Sequence, residues 1–153
     1  MLNGDDADNE FEFSVNAILS GHAQDVKYVK WHPTKNLLFS GSYDNTIKCW
    51  KYSESVDDWL CEYTMEGHLS TVWNFDFDPT GNFICSSSED RKWSIWHVLD
   101  NDFKNKGIIP NCHIRSIYSI SWSKTNDSDL IATGAADNRI CVFEISRQSL
   151  FEE

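Results

Sequence analysis

Apolar and polar residues alternate in short runs along this chain, and turn-forming residues break each run. The segment 10–19 (EFEFSVNAIL) has the period-two pattern of a half-buried strand and ends at Gly21-His22. Residues 26–31 form the next β-prone run. They stop at His32-Pro33-Thr34-Lys35-Asn36, where proline ends a ladder. Strands are predicted over 37–42 and 46–52, with Tyr43-Asp44-Asn45 as the tight turn between them. The polar loop 53–58 leads to 59–65, and the cycle then repeats as 72–77, 83–88 and 93–98, with turns at Asp78-Pro79-Thr80-Gly81 and Glu89-Asp90-Arg91. A third round follows as a weak strand at 106–109 and then 116–122, 130–134 and 139–145. The tail 148–151 reads as the start of a further strand. No segment carries an apolar stripe of helix length.

The cycle has a fixed period. Gly67-His68 stands 46 positions after Gly21-His22, and the same offset relates Pro79 to Pro33, Asp90 to Asp44 and Trp96 to Trp50. A constant offset across independent landmarks is an internal repeat. A third copy places His113 for His68, Asp137 for Asp90 and Phe143 for Trp96. Its His-to-Asp gap is 24 residues against 22 in the first two, and the extra residues fall in the polar run 124–129, a surface turn where insertion costs little. The expected organisation is an acidic, flexible leader over 1–9, then repeats at about 10–52, 59–98 and 106–147 within a single unit, 10–153.

Each repeat contains a histidine, a hydroxyl, an aspartate and an aromatic residue: His22, Ser40, Asp44 and Trp50; His68, Ser86, Asp90 and Trp96; His113, Thr133, Asp137 and Phe143. Ser, His and Asp together raise the question of a hydrolytic triad. Repetition argues against it, because an enzyme needs one such set and a repeating fold needs one per unit. No unrepeated acid–base pair, phosphate loop or metal spacing stands beside these sets, so no catalytic residue is expected.

Composition narrows the classes further. With 41% hydrophobic and 14% aromatic residues among 153, the chain is not of a disordered type. A net charge of −11 without a Lys/Arg cluster argues against nucleic-acid binding. Much of that charge lies in Asp5-Asp6-Asp8-Glu10 and Glu54-Asp57-Asp58, which read as solvated connectors. No apolar run approaches the roughly 20 residues of a membrane helix. Met1 is followed by polar and acidic residues, so no secretory leader is expected. The five cysteines, Cys49, Cys61, Cys85, Cys112 and Cys141, form no C-x-x-C pair and read as small, free thiols of a reducing compartment, the cytosol with nuclear access. Cys112-His113 takes the place of Gly-His and reads as a repeat position, not a ligand pair, so neither metal nor cofactor is expected.

Four short antiparallel strands per unit of about 45 residues, entered by Gly-His and left by Trp, resemble the WD-repeat β-propeller. The resemblance implies an all-β fold of about three four-stranded blades, a partial propeller. It also implies that the repeated His, Ser/Thr, Asp and Trp form a hydrogen-bonded chain holding each blade. The third set lacks the indole donor and should be one bond short. No literal Trp-Asp pair occurs, since Lys51 follows Trp50 and His97 follows Trp96. The match rests on spacing and on the polar set.

With those positions given to folding, binding must use what the repeat leaves open. In such propellers the narrower face is lined by residues flanking the first strand's leading aliphatic and by the residue before the turn aspartate. The corresponding positions are Asp25, Lys27 and Tyr43; Thr71, Trp73 and Glu89; and Ser116, Tyr118 and Ala136. Aromatic residues beside mixed charge suit protein recognition. Packing of the channel wall is the alternative role for Trp73 and Tyr118.

A more specific likeness runs through GH-x-QDVK-x-V-x-WHP at 21–33, Ser42-Tyr43-Asp44, Asp57-Asp58-Trp59-x-Cys61 and Gly67-His68-x-Ser70-Thr71-Val72-Trp73. Close over 20–98 and weaker over 99–147, it resembles the WD-repeat subunits of the cytosolic iron–sulfur protein assembly machinery. That family is a seven-bladed adaptor in a targeting complex that brings preformed clusters to apo-proteins. The resemblance implies a scaffold whose partners are the other targeting-complex subunits and iron–sulfur apo-proteins, without implying that this chain holds a cluster. The alternative is a generic propeller adaptor, such as a ubiquitin-ligase substrate receptor or a chromatin reader. Closed propellers need at least four blades. The missing ones are expected either from the rest of a longer chain or from a second chain in a head-to-tail pair.

Overall fold

A computed structural model describes residues 13–99, 102–109, 112–125 and 129–151. The expected leader 1–9 and residues 126–128 of the polar run 124–129 lie outside the described residues. The first sheet is a meander of β1 (Val26–Trp31), β2 (Leu37–Ser42), β3 (Ile47–Ser53) and β4 (Asp58–Met65). The second repeats it with β5 (Val72–Phe77), β6 (Phe83–Ser88), β7 (Trp93–Val98) and β8 (Phe103–Ile109). The third contains β9 (Ile117–Trp122), β10 (Asp129–Ala135) and β11 (Ile140–Ile145). Every pairing is antiparallel.

The sheets stack face to face, with their leading strands β1, β5 and β9 side by side. A four-stranded sheet has two apolar faces and buries neither alone; stacking buries both. Between the first two sheets lies a cluster around Phe39, Met65, Val72, Phe75, Phe77 and Trp96. Between the second and third lies another, around Phe83, Trp93, Ile95, Ile117, Ile120 and Trp122. The middle strand β6 is buried along its whole length, whereas β11 at the open edge alternates exposed and half-buried residues.

Two strand assignments need correction. Within the expected strand 10–19, residues 10–12 lie outside the described set and 13–19 form no strand. By the offset of 46, this segment corresponds to β4, the outer strand of the first sheet. It would therefore be the outer strand of a preceding sheet, and without that neighbour Phe13 is 90% exposed. The tail forms a short helix, α1 (Arg147–Phe151), instead of a strand. Leu150 is buried in the second cluster, Phe151 packs edge-on against Phe83, and Arg147 forks onto Asp129 at 2.6 and 2.7 Å. Burying Leu150, the Phe151–Phe83 ring contact and the half-exposed Arg147–Asp129 ion pair together favour the helix over extending one edge. Among the described residues the third sheet has three strands.

The β2–β3, β6–β7 and β10–β11 turns share one geometry. Asn45, Arg91 and Asn138 occupy the same turn position with φ of 71°, 67° and 64°. Asparagine tolerates the left-handed region; arginine does so at a cost. Arg91→Gly is therefore expected to raise stability by about 1 kcal/mol, read as a higher denaturant midpoint at unchanged m-value.

Candidate functional site

The repeated polar set is joined in each sheet. In the first, the Trp50 indole donates to Ser40 Oγ at 2.8 Å, Ser40 lies 2.7 Å from His22 Nε2, and His22 Nδ1 lies 2.7 Å from Asp44. An indole N–H can only donate, so the Ser40 oxygen accepts from it and its own proton goes to Nε2. That leaves Nδ1–H to donate to Asp44. The second sheet repeats the chain through Trp96, Ser86, His68 and Asp90 at 2.8, 2.8 and 3.1 Å. The aspartates also accept from backbone amides, Ala23 onto Asp44 and Leu69 onto Asp90, which ties the entry loop to the turn. Burial alone would push the Asp44 carboxyl up. Hydrogen bonds from Thr46, His22 and the Ala23 amide outweigh it and hold the group well below the usual carboxylate range. Ser40 and Ser86 are buried with their hydroxyls engaged on both sides, an arrangement that fixes loops and leaves no exposed nucleophile.

The third set joins His113 Nε2 to Thr133 at 2.8 Å and Nδ1 to Asp137 at 3.1 Å, with Phe143 where an indole would donate. One bond fewer and an open outer edge make this the least braced sheet. Amide hydrogen exchange is expected to be faster across β10 and β11 than across β6 and β7; the reverse order would contradict this account.

The candidate docking residues converge through a feature that alternation does not reveal. The leading strands carry β-bulges, and the register skips Lys27 between Val26 and Tyr28 and Trp73 between Val72 and Asn74. Tyr118 is skipped where Gly134 pairs Ser119 and Ala135 pairs Ile117. A bulge re-aims its side chain, so all three turn from the sheet faces to the rim. There Tyr43 meets Trp73 edge-on at 6.0 Å, and Trp73 meets Tyr118 at 5.3 Å. Lys27 Nζ stands 4.7 Å from the Tyr43 ring centroid and is paired with Asp25 at 2.9 Å. Glu89 spans two sheets, accepting from the Trp73 indole and from Ser116 Oγ, each at 2.7 Å. The row is continuous over three sheets, and Tyr43 and Tyr118 are exposed. Thr71 does not join it: at 2% exposure its side chain faces inward. Ala136 is half-buried, and its amide bonds the Ser116 carbonyl.

Two further features went unread in the sequence. Asp76, 3% exposed, accepts from Lys30 Nζ at 2.6 Å in the first sheet, and from Lys124 Nζ at 3.0 Å and the Trp122 amide at 2.9 Å in the third. Burial raises this carboxyl, but hydrogen bonds from Lys30, the Trp122 amide and Lys124 outweigh it and hold the group below its ordinary value. The available signal was the repeat itself: Lys30 and Asp76 are 46 apart, so their opposite charges meet across neighbouring sheets. His32 is likewise buried and donates from Nε2 to the Gly81 carbonyl at 3.0 Å, while Nδ1 accepts from the Thr34 and Lys35 amides. Gly81 lies at φ +80°, and a Cβ there would sit 2.4 Å from the His32 ring. Cys112-His113, set aside as a repeat position, is joined by Cys141; the ligand-capable atoms of the three lie within 4.8 Å of one another.

Three stacked antiparallel meanders, each pinned by a His–hydroxyl–Asp chain that an indole extends in the first two, define a class of protein: the chain belongs to the WD-repeat family. The WD domain, G-beta repeat, matches it three times, over residues 13–51, 59–97 and 106–144. Among curated proteins it is similar to the probable cytosolic iron–sulfur protein assembly protein CIAO1 homolog of Ixodes scapularis, 38% identical over 125 residues, covering 80% of this chain and 38% of that protein. It is also similar to the probable cytosolic iron–sulfur protein assembly protein 1 of Vanderwaltozyma polyspora, 36% identical over 202 residues, covering 97% of this chain and 57% of that one. Pre-mRNA-processing factor 19 of Mus musculus is 28% identical over 134 residues, covering 87% of this chain and 25% of that protein. The chain thus spans between about two fifths and three fifths of the iron–sulfur assembly relatives named here.

Proposed function

We propose that this chain acts without catalysis, as an adaptor in cytosolic iron–sulfur protein assembly, joining targeting-complex subunits to client apo-proteins. The observation that carries the docking role is the aromatic row Tyr43, Trp73 and Tyr118, supplied by three consecutive sheets and bordered by Lys27, Asp25, Glu89 and Ser116. Rigid aromatic rings with a polar border are what protein hot spots are built from. The pathway rests on the similarity to the iron–sulfur assembly proteins, and the cytosol as compartment rests on their names. Access to the nucleus remains part of the proposal. The repeated serines, histidines and aspartates are spent on one another, which supports a role without chemistry.

Two apolar faces flank the stack. Val26, Val29 and Trp31 are exposed on the first sheet, and Ile140 and Val142 on the third. Further blades, from the rest of a longer chain or from a second copy, would cover them. A generic WD-repeat adaptor is the second reading, favoured by the similarity to pre-mRNA-processing factor 19. Affinity capture from cytosol with mass spectrometry separates the two. Recovery of targeting-complex subunits or cluster-acquiring enzymes supports the first. Recovery of ubiquitin-ligase or chromatin components in their place overturns it.

A further inference from the structure

The third repeat differs from the first two at two positions that touch in those two repeats. In the first two sheets the residue before the histidine is glycine, because the indole edge of the same repeat lies against it. A Cβ on Gly21 would meet Trp50 at 3.0 Å, and one on Gly67 would meet Trp96 at 2.8 Å. In the third repeat the indole is replaced by Phe143 and the glycine by Cys112. Loss of the larger ring makes room for a side chain at 112, and the side chain that enters is a thiol. A second thiol stands beside it. Cys141 pairs directly with Thr133 in the β10–β11 ladder, where the other repeats have Lys48 opposite Ser40 and Ser94 opposite Ser86. Neither of those repeats therefore brings two sulfurs to its histidine.

We propose that Cys112, Cys141 and His113 form a binding site for a thiophilic divalent cation, zinc by its chemistry. Their ligand atoms lie within 4.8 Å of one another. Zinc–sulfur bonds of about 2.3 Å and zinc–nitrogen bonds of about 2.0 Å would draw them together by roughly 1 Å. His113 is already oriented for the role. Its Nδ1 is held by both oxygens of Asp137 at 3.1 Å, which leaves Nε2 as the acceptor, engaged only by the Thr133 hydroxyl among the described residues. A carboxylate behind the imidazole is the usual outer support of a metal-ligating histidine, fixing its tautomer and raising its basicity. Asp137 is in turn held by the Ile114 and Arg139 amides. Cys112 and Cys141 are half-buried and open to ions, whereas Cys49 and Cys85 are buried, and Cys61 lies on β4 in the first sheet. On binding, the ion displaces the Thr133 hydroxyl from Nε2 and each thiol gives up its proton. Two protons leave per ion, and solvent fills the fourth position.

Cobalt(II) is the probe, titrated into the reduced 153-residue chain. The expected result is saturation at one equivalent, with the thiolate-to-cobalt charge-transfer band and the visible bands of a tetrahedral site. About two protons should be released per ion, counted with an indicator dye, and zinc should displace the cobalt. Cys112→Ser and Cys141→Ser are each expected to weaken binding by more than about 10-fold, while Cys61→Ser binds as the parent does. Circular dichroism keeps the comparison to folded proteins. The proposal is overturned if the folded parent gives no charge-transfer band, or if the band survives in the Cys112→Ser/Cys141→Ser double variant.

Discussion

Ser86→Ala is expected to lower the unfolding free energy by about 2–5 kcal/mol, because it orphans two buried groups at once. Ser86 is fully buried; its oxygen accepts from the Trp96 indole and its proton goes to His68 Nε2, each at 2.8 Å. With the hydroxyl gone, the indole N–H and the imidazole nitrogen both lose their partner in a place closed to water. Each such loss costs about 1–3 kcal/mol. Thr133→Val removes the same hydroxyl from the third sheet, where no indole donates, and is expected to cost only about 1–3 kcal/mol. The Ser86→Ala penalty should also shrink in a Trp96→Phe background, since one of the two orphans is then already absent. Urea unfolding of the four proteins in that cycle measures the coupling. Equal penalties for Ser86→Ala and Thr133→Val, or strict additivity with Trp96→Phe, would count against a connected chain.

Asp76→Ala is expected to cost about 2–4 kcal/mol, since it strands the buried Trp122 amide and removes the carboxylate shared by three sheets. Lys30 and Lys124 keep partial access to water, which places the expected loss below that of a fully buried pair. Asp76→Asn retains an acceptor for the Trp122 amide and should cost less. The two variants also differ from the parent in acid. The folded-state value of Asp76 is depressed, so its contribution is fully present above the unfolded value near 3.8 and is lost as pH falls through the folded value. Parent stability should therefore fall more steeply than that of Asp76→Asn as pH drops below about 4. Parallel pH profiles would remove Asp76 from its place as a hub.

Much of this architecture could be read from one number. The offset of 46 locates the strands of the first two repeats, aligns the polar sets and pairs positions that become neighbours in adjacent sheets. Where the reading failed, the missing information was tertiary. The segment 13–19 has the alternation of a strand, but a strand also needs an edge beside it. Residues 147–151 are too few for periodicity to separate helix from strand, and the contacts that favour the helix, Leu150 in the second cluster and Arg147 on Asp129, are tertiary. The bulges that aim Lys27, Trp73 and Tyr118 leave no trace in an alternating pattern, although the positions flanking each first strand's leading aliphatic include the same residues. Thr71 shares its place before the bulge with Asp25 and Ser116, and unlike them it is buried. The thiol pair was hidden because Cys112 and Cys141 are 29 residues apart and meet where the β10–β11 ladder sets Cys141 beside Thr133 and His113 brings Cys112 to the same place.

If the repeated polar residues hold the blades and the rim residues meet partners, as proposed, Trp73→Ala tests that division most directly. The ring lies on the rim and touches Tyr43, Tyr118 and Glu89, outside the His–Ser–Asp chains. Thermal melting and partner capture measured on the same protein should separate: a melting shift of no more than about 2–4 °C, with retained partner reduced more than about 10-fold. Capture at the parent level, with the melting point lowered as far as Ser86→Ala lowers it, would place Trp73 in the framework and contradict the central claim.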